Sequence, residues 1–102
     1  MSERPICSVS DVAPGTVEGF TMDGKDIAVI HTEAGRWFAM DDQCSHGRFK
    51  LSLGEVFDDE IECTRHGAAF SVETGEPLSP PATVPIQTYP VRVDGESVLL
   101  TL

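Results

Sequence analysis

The apolar positions of this chain fall in short runs, and Gly or Pro interrupts most of them. Helical spacing is nearly absent. Residues 27–32 (IAVIHT) and 36–40 (RWFAM) flank the turn EAG and predict a β-hairpin. Residues 89–93 (YPVRV) and 97–102 (SVLLTL) flank DGE and predict a second one. Val91 and Val93 alternate with polar or charged neighbours, and Val98, Leu100 and Leu102 do so less cleanly, which is the period of a half-buried strand. Shorter strands are predicted at 6–9 (ICSV), 17–22 (VEGFTM), 60–63 (EIEC) and 69–72 (AFSV). The proline-rich stretch SPPATVP at 79–85 cannot join a central strand. Many short strands with closely spaced turns predict an all-β sandwich or barrel. The 102 residues suit one domain, 1–102, with one modest core.

Charge narrows the range of partners. Seventeen acidic residues against seven basic ones give a formal net charge of −10. Such a surface repels nucleic acid and anionic membranes and favours basic protein partners. The opening MSERPICSVS carries no apolar stretch of signal-peptide length, and no apolar run reaches the roughly 18 residues of a membrane span. A cytoplasmic protein is expected.

Three cysteines, Cys7, Cys44 and Cys63, are too few and odd in number for a disulfide scaffold. Cys7 has no His nearby and reads as an ordinary residue of the first strand, because free Cys packs as a small hydrophobe. The other two open matched fragments: Cys44-Ser45-His46-Gly47, and Cys63-Thr64-Arg65-His66-Gly67, with sixteen residues between His46 and Cys63. Each fragment supplies one thiolate and one imidazole. Each places Gly directly after the His, where a loop turns sharply or comes close to a bound group. Between them, LGEVFDDEIE (53–62) predicts a hairpin that would bring the two loops together.

Three readings of these fragments compete. Two polar turns with buried Cys would be the plainest, but matched chemistry in both loops argues against it. A tetrahedral zinc site of two Cys and two His fits in ligand number, although Cys-x-His is tighter than the usual spacing. The third is a two-iron cluster with both Cys on one iron and both His on the other.

The pattern C-x-H-x16-C-x2-H, with Gly after each His, resembles the Rieske [2Fe–2S] motif. The stretch 67–95, with its Thr-Gly turn, Pro-Pro loop and final hairpin, is similar to the segment after the second ligand pair in Rieske ferredoxins of bacterial aromatic-ring dioxygenase systems. The resemblance implies the Rieske fold, a small antiparallel β-sandwich or barrel with cluster-binding loops at about 43–50 and 62–70. It implies that Cys44 and Cys63 hold one iron, and that His46 and His66 hold the other through Nδ1 with Nε2–H toward solvent. The third histidine, His31, lies in a predicted strand without a Cys partner and reads as a surface or packed residue. Two thiolates and two neutral imidazoles leave the oxidised cluster without net charge. It is therefore easier to reduce than an all-thiolate cluster, and Rieske potentials lie at about −150 to +300 mV, against about −400 mV for plant-type ferredoxins.

The sequence departs from the high-potential Rieske proteins of respiratory complexes. Those carry Ser two residues after the second ligand His and Tyr two further on, both donating to sulfur. Here these positions hold Ala68 and Phe70. Those proteins also clamp the loops with a disulfide, where this chain has Phe49 and Arg65. All these differences predict the low-potential type.

The expected role is therefore that of an electron carrier and not an enzyme. Two of the three histidines are already assigned, the chain is too short for an added catalytic domain, and no Rossmann glycine motif is present; SLGE and VDGE read as simple turns. The resemblance implies an NADH-dependent, FAD-containing ferredoxin reductase as donor and a terminal ring-hydroxylating Rieske oxygenase as acceptor, with the carrier a monomer. A small Rieske-like subunit of an assimilatory nitrite reductase and a structural zinc module are the alternatives. Arg48, Lys50 and Arg65 fall in the cluster loops, while Asp58, Asp59, Glu60 and Glu62 crowd the connecting hairpin. That distribution is either an ordinary solvated surface or a polarised tip that orients the protein on its partners.

Overall fold

The computed structural model describes residues 3–43, 50–63, 68–78 and 84–102. They form ten strands: β1 (Glu3–Ser8), β2 (Thr16–Met22), β3 (Lys25–His31), β4 (Trp37–Asp41), β5 (Glu55–Phe57), β6 (Glu60–Glu62), β7 (Ala69–Ser71), β8 (Thr88–Tyr89), β9 (Val91–Asp94) and β10 (Ser97–Thr101). Two single-turn 3₁₀ segments, Val9–Asp11 and Leu51–Leu53, are the helical elements among the described residues. Three antiparallel sheets result, ordered β1-β10-β9, β2-β3-β4-β8 and β5-β6-β7. The all-β antiparallel architecture is the one expected.

The second sheet is the middle layer, and the sequence of β3 shows why. Ile27 and Val29 point into one core with Val12, Ala39, Val98 and Leu100. Ala28 and Ile30 point into the other, with Met40, Leu51, Ile61, Cys63 and Phe70. All four are fully buried. A strand covered on both faces needs a continuous apolar run instead of alternation. The run IAVI therefore marks a central strand, not merely one arm of the predicted hairpin.

Turns fix the register. β2 and β3 join through Asp23 and Gly24, both at positive φ (53° and 76°), the pattern of a two-residue hairpin turn whose twist matches its strands. Cys7 follows a bulge in β1, an edge strand that tolerates Pro5. The predicted strand YPVRV is in fact two. Tyr89 ends β8, which pairs with β4, while Val91 begins β9, which pairs with β10. Pro90 lacks an amide for either ladder, so the chain changes sheets there. Val91 packs on the core, but Val93 is exposed at the edge-strand turn.

Candidate metal centre

The second fragment grows out of the β6–β7 hairpin. Glu62 pairs with Ala69, and just beyond this last rung the Cys63 amide donates to the Ala68 carbonyl at 2.7 Å. The hairpin's own backbone thus closes the base of the segment 64–67. Cys63 carries a free thiol, is fully buried, and shares the inner core with Leu51, Ala68 and Phe70. Of the four expected ligands, Cys63 is the one among the described residues. Cys44, His46 and His66 lie outside them, as do Phe49 and Arg65 of the missing disulfide.

The first fragment leaves β4 and returns at the 3₁₀ turn Leu51–Leu53, two elements that do not pair as strands. Side chains join them instead. Asp42 is nearly buried (4% exposed), and its amide donates to the Asp26 carbonyl at 2.9 Å. Its Oδ1 accepts from the Ser52 amide at 2.7 Å and its Oδ2 from the Ser52 hydroxyl at 2.6 Å. In the neighbouring β2, a Cβ at Gly19 would stand 2.6 Å from Asp42 Oδ2 and 2.9 Å from Ser52 Oγ. Glycine leaves the space this pair fills. Gly54 then donates to the Leu51 carbonyl at 2.8 Å and lies against the Glu62 carbonyl, beside Cys63. The hairpin 53–62 thus brings the roots of the two loops together, as expected. The SLGE segment is this 3₁₀ turn and its exit, not a simple turn. Sequence reasoning missed Asp42 and Ser52, since one Asp and one Ser ten residues apart carry no periodic signal.

The residues flanking 79–83 reach the same end of the molecule. The Leu78 amide donates to the Ala69 carbonyl at 2.7 Å, one rung from the base of the second loop. On the far side of 79–83, the Asp41 amide donates to the Gln87 carbonyl, continuing the β4–β8 pairing toward the root of the first loop. Leu53, Leu78 and Val84, all more than half exposed, therefore stand around the roots of these three segments.

Charge is arranged along sheet β5-β6-β7. At the loop end, Lys50 lies 4.0 Å from the Asp26 carboxylate; Arg48 and Arg65 lie outside the described residues. At the opposite end, Asp58 makes the β5–β6 turn at φ 51°, and Asp59 pairs with Arg36 at 3.1 Å. Arg36 also reaches Glu73 at 2.6 Å.

Two residues set aside at the sequence level keep structural roles. His31 Nδ1 is 2.9 Å from the Val12 carbonyl, and its ring stacks on Trp37 at 3.9 Å, so it is a packed strand residue. Cys7 is half-buried in β1, where burial first and Asp11 second push its thiol up to about 11. Such a buried, hard-to-ionise thiol is chemically inert and packs as a small hydrophobe.

The donor set can be tested against its surroundings. The Cys63 thiol sits among fully buried apolar side chains, Ala68 and Phe70 included. A dianionic, all-thiolate cluster would be costly to desolvate there, whereas two thiolates and two imidazoles around two ferric ions carry no net charge. The residues fit a neutral group. A zinc ion with the same four ligands would also be neutral, so relatives decide between the two.

A model of the Rieske [2Fe-2S] domain matches residues 2–90. The chain is 40% identical to the biphenyl dioxygenase ferredoxin subunit of Pseudomonas sp. (strain KKS102), covering 98% of this chain and 92% of that one. It is also 40% identical to the biphenyl 2,3-dioxygenase ferredoxin component of Rhodococcus jostii (strain RHA1), covering 100% and 94%. Among solved structures, a chain from a complex of oxygenase and ferredoxin in carbazole 1,9a-dioxygenase superposes with a TM-score of 0.87 at 37% identity, covering 96% and 91%. A putative nitrite reductase small subunit reaches 0.88 at 20% identity, covering both chains fully, a likeness of fold alone. Each match spans nearly the whole chain, and the family is defined by a [2Fe–2S] cluster: this chain belongs to the Rieske [2Fe-2S] domain family.

Proposed function

We propose that the whole chain, 1–102, acts as one Rieske domain that carries single electrons in the cytoplasm as a monomer. It takes them from an NADH-dependent flavoprotein ferredoxin reductase and passes them to a terminal ring-hydroxylating oxygenase. One [2Fe–2S] cluster, held by Cys44 and Cys63 on one iron and His46 and His66 on the other, supplies the one-electron chemistry. The protein's own residues hold and insulate it. Buried together, Cys63, Ala68 and Phe70 would exclude water around the Cys63 ligand, the two loop roots would set the ligand spacing, and Ala68 and Phe70 offer no side-chain donor that would raise the potential. Among the described residues no helix is long and apolar enough to cross a membrane.

The observation that carries this reading is the end-to-end match to ferredoxin components of dioxygenase systems, at 40% identity with little of either chain left over. Nitrite reductase small subunits share the fold alone, at 20% and 22% identity.

The test begins with anaerobic isolation. About two irons and two acid-labile sulfides per chain are expected, with nitrogen ligation at one iron. NADH and a catalytic amount of ferredoxin reductase should then bleach the visible bands, and a terminal oxygenase should restore them. One zinc and no iron, or a cluster the reductase leaves oxidised, would overturn the reading. His46→Cys or Cys63→Ser should remove the Rieske spectrum.

A further inference from the structure

The two loops close at their bases by different means. The second stands on a hairpin, so backbone hydrogen bonds between Cys63 and Ala68 and along β6–β7 tie its ends. The first connects β4 to a 3₁₀ turn, and among the described residues no strand pairing joins its two ends. They are joined by the Asp42 carboxylate, gripping both the amide and the hydroxyl of Ser52 at 2.7 and 2.6 Å. The bond spans ten residues, starts two residues before Cys44, and is 96% shielded from solvent at Asp42. Gly19 supports the same conclusion independently. It lies inside β2, where glycine costs stability, yet any Cβ there would strike both members of the pair. A strand that accepts that cost leaves room for the grip.

We infer that Asp42 and Ser52 form a non-covalent clamp that ties together the two roots of the first proposed cofactor loop, and that they are positioning residues for the proposed ligands Cys44 and His46. The clamp acts where this chain has no disulfide between its loops. It works through geometry: two oxygens of a planar group meet two donors of one residue. An asparagine can keep half of it without any adjustment and all of it after a turn of the Ser52 hydroxyl, with Oδ1 accepting from the amide and Nδ2 donating to Oγ. An alanine keeps none.

The inference rests on the metal-binding reading of the loops but not on which metal they hold, so the assay follows release of metal itself. Purified loaded protein is challenged with a chelator, and both visible absorbance and chelated metal are followed with time. Asp42→Ala should release metal at least about 10-fold faster than the unaltered protein, the lower end of the affinity loss seen when groups that orient metal ligands are removed. Asp42→Asn should stay within about threefold of it. Ser52→Ala, which keeps the backbone donor, should fall between the two, which keeps the test open should Asp42→Ala fail to fold. Val98→Ala, buried between the outer and middle sheets, serves as a control that loses stability without touching the loop. In the iron-loaded protein, the reduced-state EPR signal should broaden or shift in Asp42→Ala and not in the control. The clamp is overturned if the control releases metal as fast as Asp42→Ala, if Asp42→Asn behaves like Asp42→Ala, or if Ser52→Ala matches the unaltered protein. Colourless protein that releases zinc would overturn the cluster assignment while leaving the clamp to stand or fall on these rates.

Discussion

The backbone of Gly54 rests on the carbonyl of Glu62, so closely that a Cβ at Gly54 would stand 2.0 Å from that oxygen. The contact presses the exit of the first loop onto the last residue of β6, next to Cys63. At φ −87° and ψ −164° Gly54 is in extended conformation, so space rather than conformational freedom calls for glycine here. The obstructing atom is backbone and cannot rotate away. Gly54→Ala should therefore destabilise the protein by about 1–3 kcal/mol, the range for overpacking. It should also hasten cluster loss, because the forced shift separates the two loop roots. Denaturant unfolding followed by circular dichroism, beside a chelator time course, measures both. Wild-type stability in Gly54→Ala would mean that β5 and β6 part at no cost.

Ala68 and Phe70 bear on the redox potential. Both are fully buried beside Cys63, and neither side chain can donate a hydrogen bond. The midpoint potential should lie near the bottom of the Rieske range, at about −150 mV. A donor to sulfur stabilises the more negative reduced state, so Ala68→Ser should raise the potential, as should Phe70→Tyr if its hydroxyl reaches a sulfur. A hydrogen bond to a charged group contributes about 1.5–3 kcal/mol. For a one-electron couple that is at most about 60–130 mV. Protein-film voltammetry checks the sign and size. A wild-type value well above zero would place control in backbone donors instead.

Much of this arrangement was legible in the sequence, for local reasons. The proposed ligands Cys44, His46, Cys63 and His66 stand out because thiolate and imidazole recur at short spacing with glycine behind them. The hairpin 53–62 was readable because Asp58 and Asp59 separate Val56-Phe57 from the alternating Glu60-Ile61-Glu62. The features that escaped depend on three-dimensional neighbours. The run IAVI is apolar on both faces because two sheets cover it, a fact no single strand discloses. The split at Pro90 reflects the pairing of β8 and β9 with different partners, although Pro inside YPVRV was a warning. The Asp23-Gly24 turn was a signal present and not used. Asp42–Ser52 had no local signature: it becomes visible only when β2 brings Gly19 against the pair.

Tyr89 offers a spectroscopic test of the packing behind the first loop. Its hydroxyl donates to Asp41 Oδ1 at 2.5 Å, and Asp41 ends the strand that leads into the loop. Burial first, then the bond to Asp41, raise the phenol to about 12. Because the folded-state value lies above the unfolded one of about 10, this contribution to stability is complete below pH 10. It is lost as pH rises toward 12. The chain has a single tyrosine, so absorbance near 295 nm should titrate as one step with a midpoint near 12. Asp41→Asn should lower the midpoint by removing the charge, leaving it above 10 through burial and the bond that the amide oxygen still accepts. A midpoint near 10 in the unaltered protein would show that the hydroxyl is solvated and the bond absent.

The acidic hairpin tip bears on how the protein finds its partners. The register Phe57↔Glu60↔Ser71 lies at the tip end of its sheet and Glu55↔Glu62↔Ala69 at the loop end, so Asp58 points away from the cofactor loops. Three to four residues of strand separate them, roughly 10 Å at about 3.3 Å per residue. That exceeds the screening length of about 8 Å at physiological salt. Asp58 is therefore no part of a contact at the loop end, and it can orient an approaching partner there only at lower salt, where screening reaches further. The two aspartates also differ: Asp59 already faces Arg36 at 3.1 Å, while Asp58 sits at the exposed turn. Asp58→Asn should therefore lower the low-salt association rate with a basic partner and flatten its salt dependence more than Asp59→Asn does. Near physiological salt the two variants and the unaltered protein should converge, because screening removes the same attraction that the substitution removes. Stopped-flow reduction by the ferredoxin reductase, and oxidation by the oxygenase, over a salt series would show which partner is steered. Rates indifferent to salt with both partners would place docking on the apolar side chains at the loop end, Leu53, Leu78 and Val84, and would remove the acidic tip from the encounter altogether.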